Sequence, residues 1–199
     1  AHVSETKSEI RIAVIGCGYW GPNWLRNFHQ LPNSRIVAAA DIDEARLKYV
    51  RSLYADLSVT TDYKEVLASP AVDAVVVALP PRLHAPVGLD ALRAGKHVLL
   101  EKPMATSAAA CRELIEEARS RSLTLMVGHT FEYTEAVRAV KTQLDRGVLG
   151  ELYYVNSQRL NLGLFQNDCN VIWDLAPHDI SILLHLRNGE MPLGVRAVG

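Results

Sequence analysis

Three side chains in this sequence are of the kinds that move or hold protons on a substrate: Lys102, Asp174 and His178. Lys102 stands in Glu101-Lys102-Pro103, directly after the apolar run His97 to Leu100. An ammonium at the end of a strand can donate to an alcohol oxygen and favour its alkoxide character as charge develops. Taken by itself, a solvated loop lysine is the alternative. Asp174 and His178 are four residues apart, a spacing that places both on one face of a helix. Histidine suits acid–base work near neutrality, and a neighbouring carboxylate orients its ring or binds a substrate hydroxyl. The competing reading is a helix-capping aspartate and an ordinary surface histidine. No third ligand accompanies them, and His185 lies two turns on, so no metal centre is expected.

A second set of residues is suited to holding a dinucleotide. Gly16-Cys17-Gly18-Tyr19-Trp20-Gly21 fits G-x-G-x-x-G and follows the apolar run Ile10 to Ile15. The first glycine permits a tight turn, the second lets the backbone approach a pyrophosphate, and the third lets the helix pack close to the strand. The helix that opens there, with Pro22 in its first turn, offers N–H groups and partial positive charge to phosphate. Asp41 closes the next strand, twenty residues after Gly21, where a carboxylate accepts hydrogen bonds from an adenosine ribose. That carboxylate repels a 2′-phosphate, so NAD is expected over NADP; a flavin also fits the motif. Asp43 shares or blurs this role, and either aspartate could instead cap the helix starting near Glu44. Cys17 lies within the glycine turn but has no convincing partner as a nucleophile.

These residues need a scaffold, and the first half of the chain supplies its pattern. Apolar runs at Ile10 to Ile15, Arg35 to Ala40, Ala71 to Leu79, His97 to Leu100 and Leu123 to Val127, with a weaker one at Leu57 to Thr60, alternate with helical spacings. Continuous apolar runs suit strands buried on both faces. The expected fold class is α/β: a doubly wound parallel-sheet Rossmann domain over residues 1–130. The rhythm then changes. A helix is expected from about Glu132 to Arg146, ending at Gly147, then a strand at Leu152-Tyr153-Tyr154-Val155 and a loop from Asn161 to Asn170. The next helix begins near Trp173 and runs to Arg187, or begins at about Ala176 if Pro177 occupies its first turn. Met191 to Gly199 reads as a turn leading into a strand. Residues 131–199 thus read as the start of a second domain.

Composition excludes several partners. The formal net charge of -1 carries none of the basic footprint that a phosphate backbone requires, so nucleic acid is not expected. No run approaches the roughly 20 apolar residues that cross a bilayer, and the polar start, Ala1 to Glu9, has no signal-peptide core. Three widely spaced cysteines, Cys17, Cys111 and Cys169, form no disulfide framework and suit a reducing cytoplasm.

Four elements in order resemble the glucose–fructose oxidoreductase / inositol dehydrogenase / MocA family: the glycine motif, the Pro80-Pro81-x-x-His84 turn, Glu101-Lys102-Pro103, and Asp174-x-x-x-His178. The glycine motif is common to many families; the last two elements are far more specific. The resemblance implies a motif lysine, Lys102, that contacts both substrate and cofactor, an acid–base histidine, His178, and a substrate-orienting aspartate, Asp174. It places Gly16, Gly18, Tyr19, Trp20, Gly21, Asp41, Ile42, Leu79, Pro80, His84, Glu101 and Lys102 around the cofactor. On the substrate side it places Lys102, His129, Arg159, Asp174 and His178. His84 and His129 each follow a strand, and each either faces the ligand or packs at the start of the next element. Two departures, Ala176 where the family often has glycine and Ser181 where it often has aspartate, leave the catalytic groups in place.

The implied activity is hydride transfer between a nicotinamide and a secondary alcohol or ketone of a sugar, nucleotide-sugar or polyol. Two further readings use the same fold: an NAD-dependent glycoside hydrolase acting by transient oxidation, and a non-enzymatic dinucleotide sensor. Intact Lys102, Asp174 and His178 argue against the sensor. The resemblance implies that residues 131–199 are the truncated start of a larger α+β substrate and oligomerisation domain, so a fragment is expected, forming a homo-oligomer when full length. The stretch Ser157 to Phe165, followed by the Trp173 cluster, resembles a bacterial subgroup associated with sugar or nucleotide-sugar modification.

Overall fold

The computed structural model describes residues 9–160 and 169–198. The expected loop at Asn161 to Asn170 therefore falls mostly outside the described residues, as does most of the polar start. The chain forms two compact units, Ala1–Gly128 and His129–Gly199.

The first unit is a six-stranded parallel sheet. Its strands are β1 (Ile10–Ile15), β2 (Ser34–Ala40), β3 (Ser58–Thr60), β4 (Ala74–Val77), β5 (His97–Leu100) and β6 (Leu125–Val127), in the order β3-β2-β1-β4-β5-β6. Helices α1 (Gly21–Gln30), α2 (Glu44–Leu53), α3 (Tyr63–Ala68), α4 (Pro81–Arg93) and α5 (Ala108–Ser120) make the crossovers. This is the doubly wound Rossmann arrangement that the alternating runs imply. Alternation within β1 shows why both faces bury: Ala13 and Ile15 pack with Val87, Leu92 and Leu114, whereas Ile12 and Val14 pack with Leu25, Leu47 and Val50. Every second side chain thus enters a different core. The run Ala71 to Leu79 yields a shorter strand: Val72 bonds back to Ser69, Asp73 at the strand's start serves a charge pair with Arg11, and Leu79 enters the loop before α4.

That charge pair ties β1 to β4 at the end of the sheet away from the glycine loop. Asp73 accepts from the Arg11 backbone N–H at 2.8 Å and from its guanidinium at 2.9 and 2.7 Å. These bonds hold the Asp73 carboxyl at a pKa of about 2. A depressed folded-state pKa contributes stability that is complete above the ordinary carboxylate range and is lost as pH falls through the folded value. Asp73→Asn should therefore unfold at a lower temperature than the parent at pH 7, with the difference shrinking as the pH is lowered from about 4 to 2. Thermal melts at a series of pH values test this; a gap that widens in acid would contradict it.

The second unit holds a short 3-10 turn, Thr130–Tyr133, then α6 (Glu135–Asp145) and α7 (Val171–Leu186). Here the sequence expectations need three corrections. The helix expected from about Glu132 is divided: the 3-10 turn ends at Tyr133, and Thr134, an extended residue at ψ 147°, separates it from α6. Leu152-Tyr153-Tyr154-Val155 is no strand; a strand exists only by pairing, and no described segment pairs with it, leaving Tyr153 and Tyr154 more than four-fifths exposed. For the same reason 191–198 carries no strand.

Candidate functional site

The topology creates a switch point: β1 is flanked by β2 on one side and β4 on the other, and connections leave it in opposite directions. Ligands on such sheets bind beyond the carboxyl ends of the strands at that point. The loops after β1, β2, β4 and β5 carry the glycine motif, Asp41, Leu79-Pro80 and Glu101-Lys102 respectively.

The glycine loop is built as its residue types require. Gly16 has φ +98°, and a Cβ there would lie 2.3 Å from the Ala78 carbonyl oxygen. A Cβ on Gly21 would lie 2.1 Å from the Gly16 carbonyl oxygen. The turn and the close start of α1 thus demand glycine at both positions. Gly18 differs: the nearest atom to an added Cβ is 3.5 Å away, on the Arg46 guanidinium, so protein packing alone does not require glycine there. A ligand that must approach the backbone does. The N-termini of α2, α3 and α5 are capped by the side chains of Asp43, Asp62 and Ser107, but Trp20, at the N-cap of α1, makes no side-chain cap. Its amide end is available to phosphate, and the cradle fits a dinucleotide. Tyr19 and Trp20 flank it, exposed, with their rings edge to face at 5.5 Å.

Asp41 and Asp43 divide the roles that the sequence left open. Asp43 is the cap of α2, accepting from Ala45 N at 2.9 Å. Asp41 is buried and accepts from the Cys17 backbone N–H at 2.7 Å and from Asp43 N at 2.9 Å. It therefore fixes the glycine loop to the carboxyl end of β2. Arg46, which no motif singles out, reaches Asp41 and Asp43 at 3.4 Å each. Ile42 is 90% exposed beside them.

Cys17 points into the core rather than the loop. Burial, with the Asp41 charge second, pushes its thiol up to about 12. The thiolate that reacts is thus scarce at neutral pH. Native protein at pH 8 should leave Cys17 unalkylated by iodoacetamide for as long as it stays folded, with full labelling in denaturant; mass spectrometry of the tryptic peptide reads the outcome.

On the far side of the switch point, Glu101 is buried at the end of β5. Its Oε1 accepts from the Trp24 indole at 2.6 Å, and its Oε2 accepts from the Lys102 backbone N–H at 3.2 Å. Glu101 therefore anchors the loop to α1 and presents Lys102, which is half-buried. Trp24 also escapes sequence inspection, because its partner is 77 residues away. The Lys102-Pro103 peptide is cis. His84 does not look outward: its ring is wholly buried, with Nδ1 2.7 Å from the Pro103 carbonyl and Nε2 2.7 Å from the Leu79 carbonyl. Both ring nitrogens are spent on protein, so of the two sequence readings packing at the helix start describes it, and the expected cofactor contact is withdrawn.

In the second unit Asp174 and His178 lie on one helix. α7 starts at Val171, capped by Asn170, whose side chain accepts from Ile172 N and Trp173 N at 3.1 Å each. Of the two starts that the sequence offers, the one near Trp173 agrees and the one near Ala176 is corrected: the asparagine cap sets the helix at Val171 and leaves Pro177 inside it. Asp174 falls in the first turn instead of capping it, and both side chains are half-buried. Around His178 stand two residues of the unit's other segments. The Phe131 ring meets the imidazole edge-on at 4.7 Å, and the Arg159 guanidinium lies 4.9 Å over the same phenyl ring. Arg159 also pairs with Asp179 at 2.5 Å, and Ser157 donates to that carboxylate at 2.7 Å. Burial pushes Asp179 up, but those hydrogen bonds and the charges of Arg159 and His178 outweigh it and hold the carboxyl below its ordinary range. Asp179, next to the motif histidine, is a residue that inspection of Asp174-x-x-x-His178 passes over. His129 begins the 3-10 turn, half-buried.

Comparison with known proteins places this geometry. The family described as "Oxidoreductase family, NAD-binding Rossmann fold" matches residues 10–129. The inositol 2-dehydrogenase of Pseudomonas fluorescens is 33% identical over 186 residues, covering 91% of this chain and 55% of its own length. A 3-ketoreductase from Actinomadura kijaniata, solved with NADP and TDP-benzene, is 37% identical and superposes with a TM-score of 0.66 over 72% of this chain and 44% of its own. A crystal structure from Klebsiella pneumoniae gives 0.78 at 29% identity, over 90% of this chain and 51% of that one. The chain spans about half the length of the curated relatives it matches.

Proposed function

The chain belongs to the glucose–fructose oxidoreductase / inositol dehydrogenase / MocA family of oxidoreductases, and from that premise we propose that it is the cofactor-binding part of a dehydrogenase or reductase acting on a secondary alcohol or ketone. The substrate class is a sugar, nucleotide-sugar or polyol, and the cofactor is NAD, with NADP the weaker ligand. The observation that carries this is the placement of the glycine cradle and Lys102 at the ends of β1 and β5, on the two sides of the β1/β4 switch point.

Gly16, Gly18, Gly21 and the open end of α1 hold the pyrophosphate, and Asp41 holds the adenosine ribose. A bound nicotinamide supplies the hydride acceptor or donor. Lys102 donates to the substrate oxygen and steadies it as charge develops. His178 takes the hydroxyl proton in oxidation and returns it in reduction, and Asp174 orients that histidine or a second hydroxyl. Ile42, Leu79 and Pro80 line the cofactor's path, with His129 and Arg159 on the substrate side. Asp41 supports NAD by repelling a 2′-phosphate; Arg46 offsets part of that repulsion, so the preference is one of degree. The relatives' printed activities, inositol 2-dehydrogenase and 3-ketoreductase, support the substrate class. Among the described residues no helix is long and apolar enough to cross a membrane. We place the enzyme in the cytoplasm, the compartment that its three widely spaced cysteines suit, as a homo-oligomer.

The test is a screen of the whole gene product that carries this chain, against inositols, free sugars and nucleotide-sugars, read by NADH absorbance. Calorimetry with NADH and NADPH runs beside it. Net NADH formation with one substrate class and tighter binding of NADH supports the reading. Glycoside cleavage without net NADH would replace it with the hydrolase, and no affinity for either coenzyme would end it.

A further inference from the structure

We propose that His84 is a positioning residue for Lys102, acting through the loop that carries the ammonium and never touching substrate itself; this rests on the reading of Lys102 given above. His84 stands in the first turn of α4, and its ring, at 0% exposure, bridges two separate loops. Both of its partners, the Leu79 and Pro103 carbonyl oxygens, can only accept hydrogen bonds. A neutral imidazole binds one of them through its single N–H, and a ring with hydrogen on both nitrogens binds both. The ring thus stands as a spacer between the two loops, 2.7 Å from each carbonyl.

What it joins gives the bridge its meaning. On one side, Ala78 and Leu79 press on the glycine loop: a Cβ at Gly16 would meet the Ala78 carbonyl at 2.3 Å and the Leu79 side chain at 2.9 Å. On the other side, Pro103 is bonded directly to Lys102. A continuous series of contacts thus runs from the dinucleotide cradle through Leu79, His84 and Pro103 to the ammonium-bearing residue. Glu101 closes the same linkage from the opposite flank, holding the Lys102 backbone to Trp24 on α1. The lysine loop is fixed twice to the parts that hold the cofactor. A phenyl ring would fill the space of the imidazole but leave both carbonyls without its donor. Displacement of a reacting group by about 1 Å costs on the order of a hundredfold in rate.

The experiment is a double-mutant cycle in the whole gene product, with the substrate found by the screen. His84→Phe should lower kcat by about thirtyfold or more while the substrate KM and the NADH dissociation constant stay within about threefold. His84→Gln, whose amide can still donate to one carbonyl, should recover part of that loss. In a Lys102→Ala background, adding His84→Phe should cost nothing further, because the group it positions is gone. Hydrogen exchange across residues 100–106 should quicken in His84→Gln while β1 and β4 stay protected; this readout needs no substrate. An unchanged kcat in His84→Phe, equal loss in both backgrounds, or unchanged exchange across 100–106 would each overturn the proposal. If Lys102→Ala itself turns over fully, the reading of Lys102 fails first and the proposal falls with it.

Discussion

Lys102→Ala should lower turnover at least about a hundredfold and leave NADH affinity nearly unchanged. The size follows from the chemistry: a donor aimed at an oxygen on which charge develops is typically worth that much when removed. The sparing of affinity follows from the structure. In the proposed reading, pyrophosphate and ribose recognition belong to the glycine loop and Asp41, after β1 and β2, whereas Lys102 follows β5, two strands from β1. Glu101, which holds that loop to Trp24, stays in place in the variant. Single-turnover kinetics separate the chemical step from binding, and a variant with full turnover removes Lys102 from the mechanism.

The glycine loop should give the second large effect, and it should divide between two positions that the motif treats alike. Gly21→Ala puts a Cβ 2.1 Å from a backbone oxygen, so α1 or the turn must move. Its expected result is a loss of both thermal stability, by on the order of 2 kcal/mol or more, and cofactor binding. Gly18→Ala puts a Cβ 3.5 Å from the end of the half-exposed Arg46 side chain, an ordinary contact. Its melting temperature should stay close to the parent's, while NADH binding weakens at least about tenfold because the added methyl occupies the pyrophosphate's approach. Melts and calorimetry on the two variants read this directly. Undiminished NADH binding by Gly18→Ala would mean that no pyrophosphate lies over residue 18.

Much of the first unit was legible because its signals are local. Six apolar runs specify the strands, and four of them, β1, β2, β4 and β5, end in the loops that carry Gly16, Asp41, Leu79-Pro80 and Lys102 at one end of the sheet. The second unit was less legible. The run at Leu152 to Val155 has strand-forming residues, yet whether it becomes a strand depends on a partner segment, which the run itself does not encode. The helix near Trp173 to Arg187 was legible, but its exact start was not: Pro177 also offered a start at Ala176, and the Asn170 cap, with a helix that tolerates an internal proline, set it at Val171.

By itself, the amino-acid order determined the doubly wound class, the dinucleotide cradle and the identity of the chemical groups, since period-2 and period-3.6 burial and glycine's freedom are properties of neighbouring residues. Only the folded chain decided what each group is attached to. Asp41 on the Cys17 amide, Trp24 on Glu101, His84 between two carbonyls, and Arg159 on Asp179 join residues between 5 and 77 positions apart. Apart from the single within-turn contact of His84 with Leu79, such pairings are set by where strands and helices end in space, and no spacing rule along the chain contains that information.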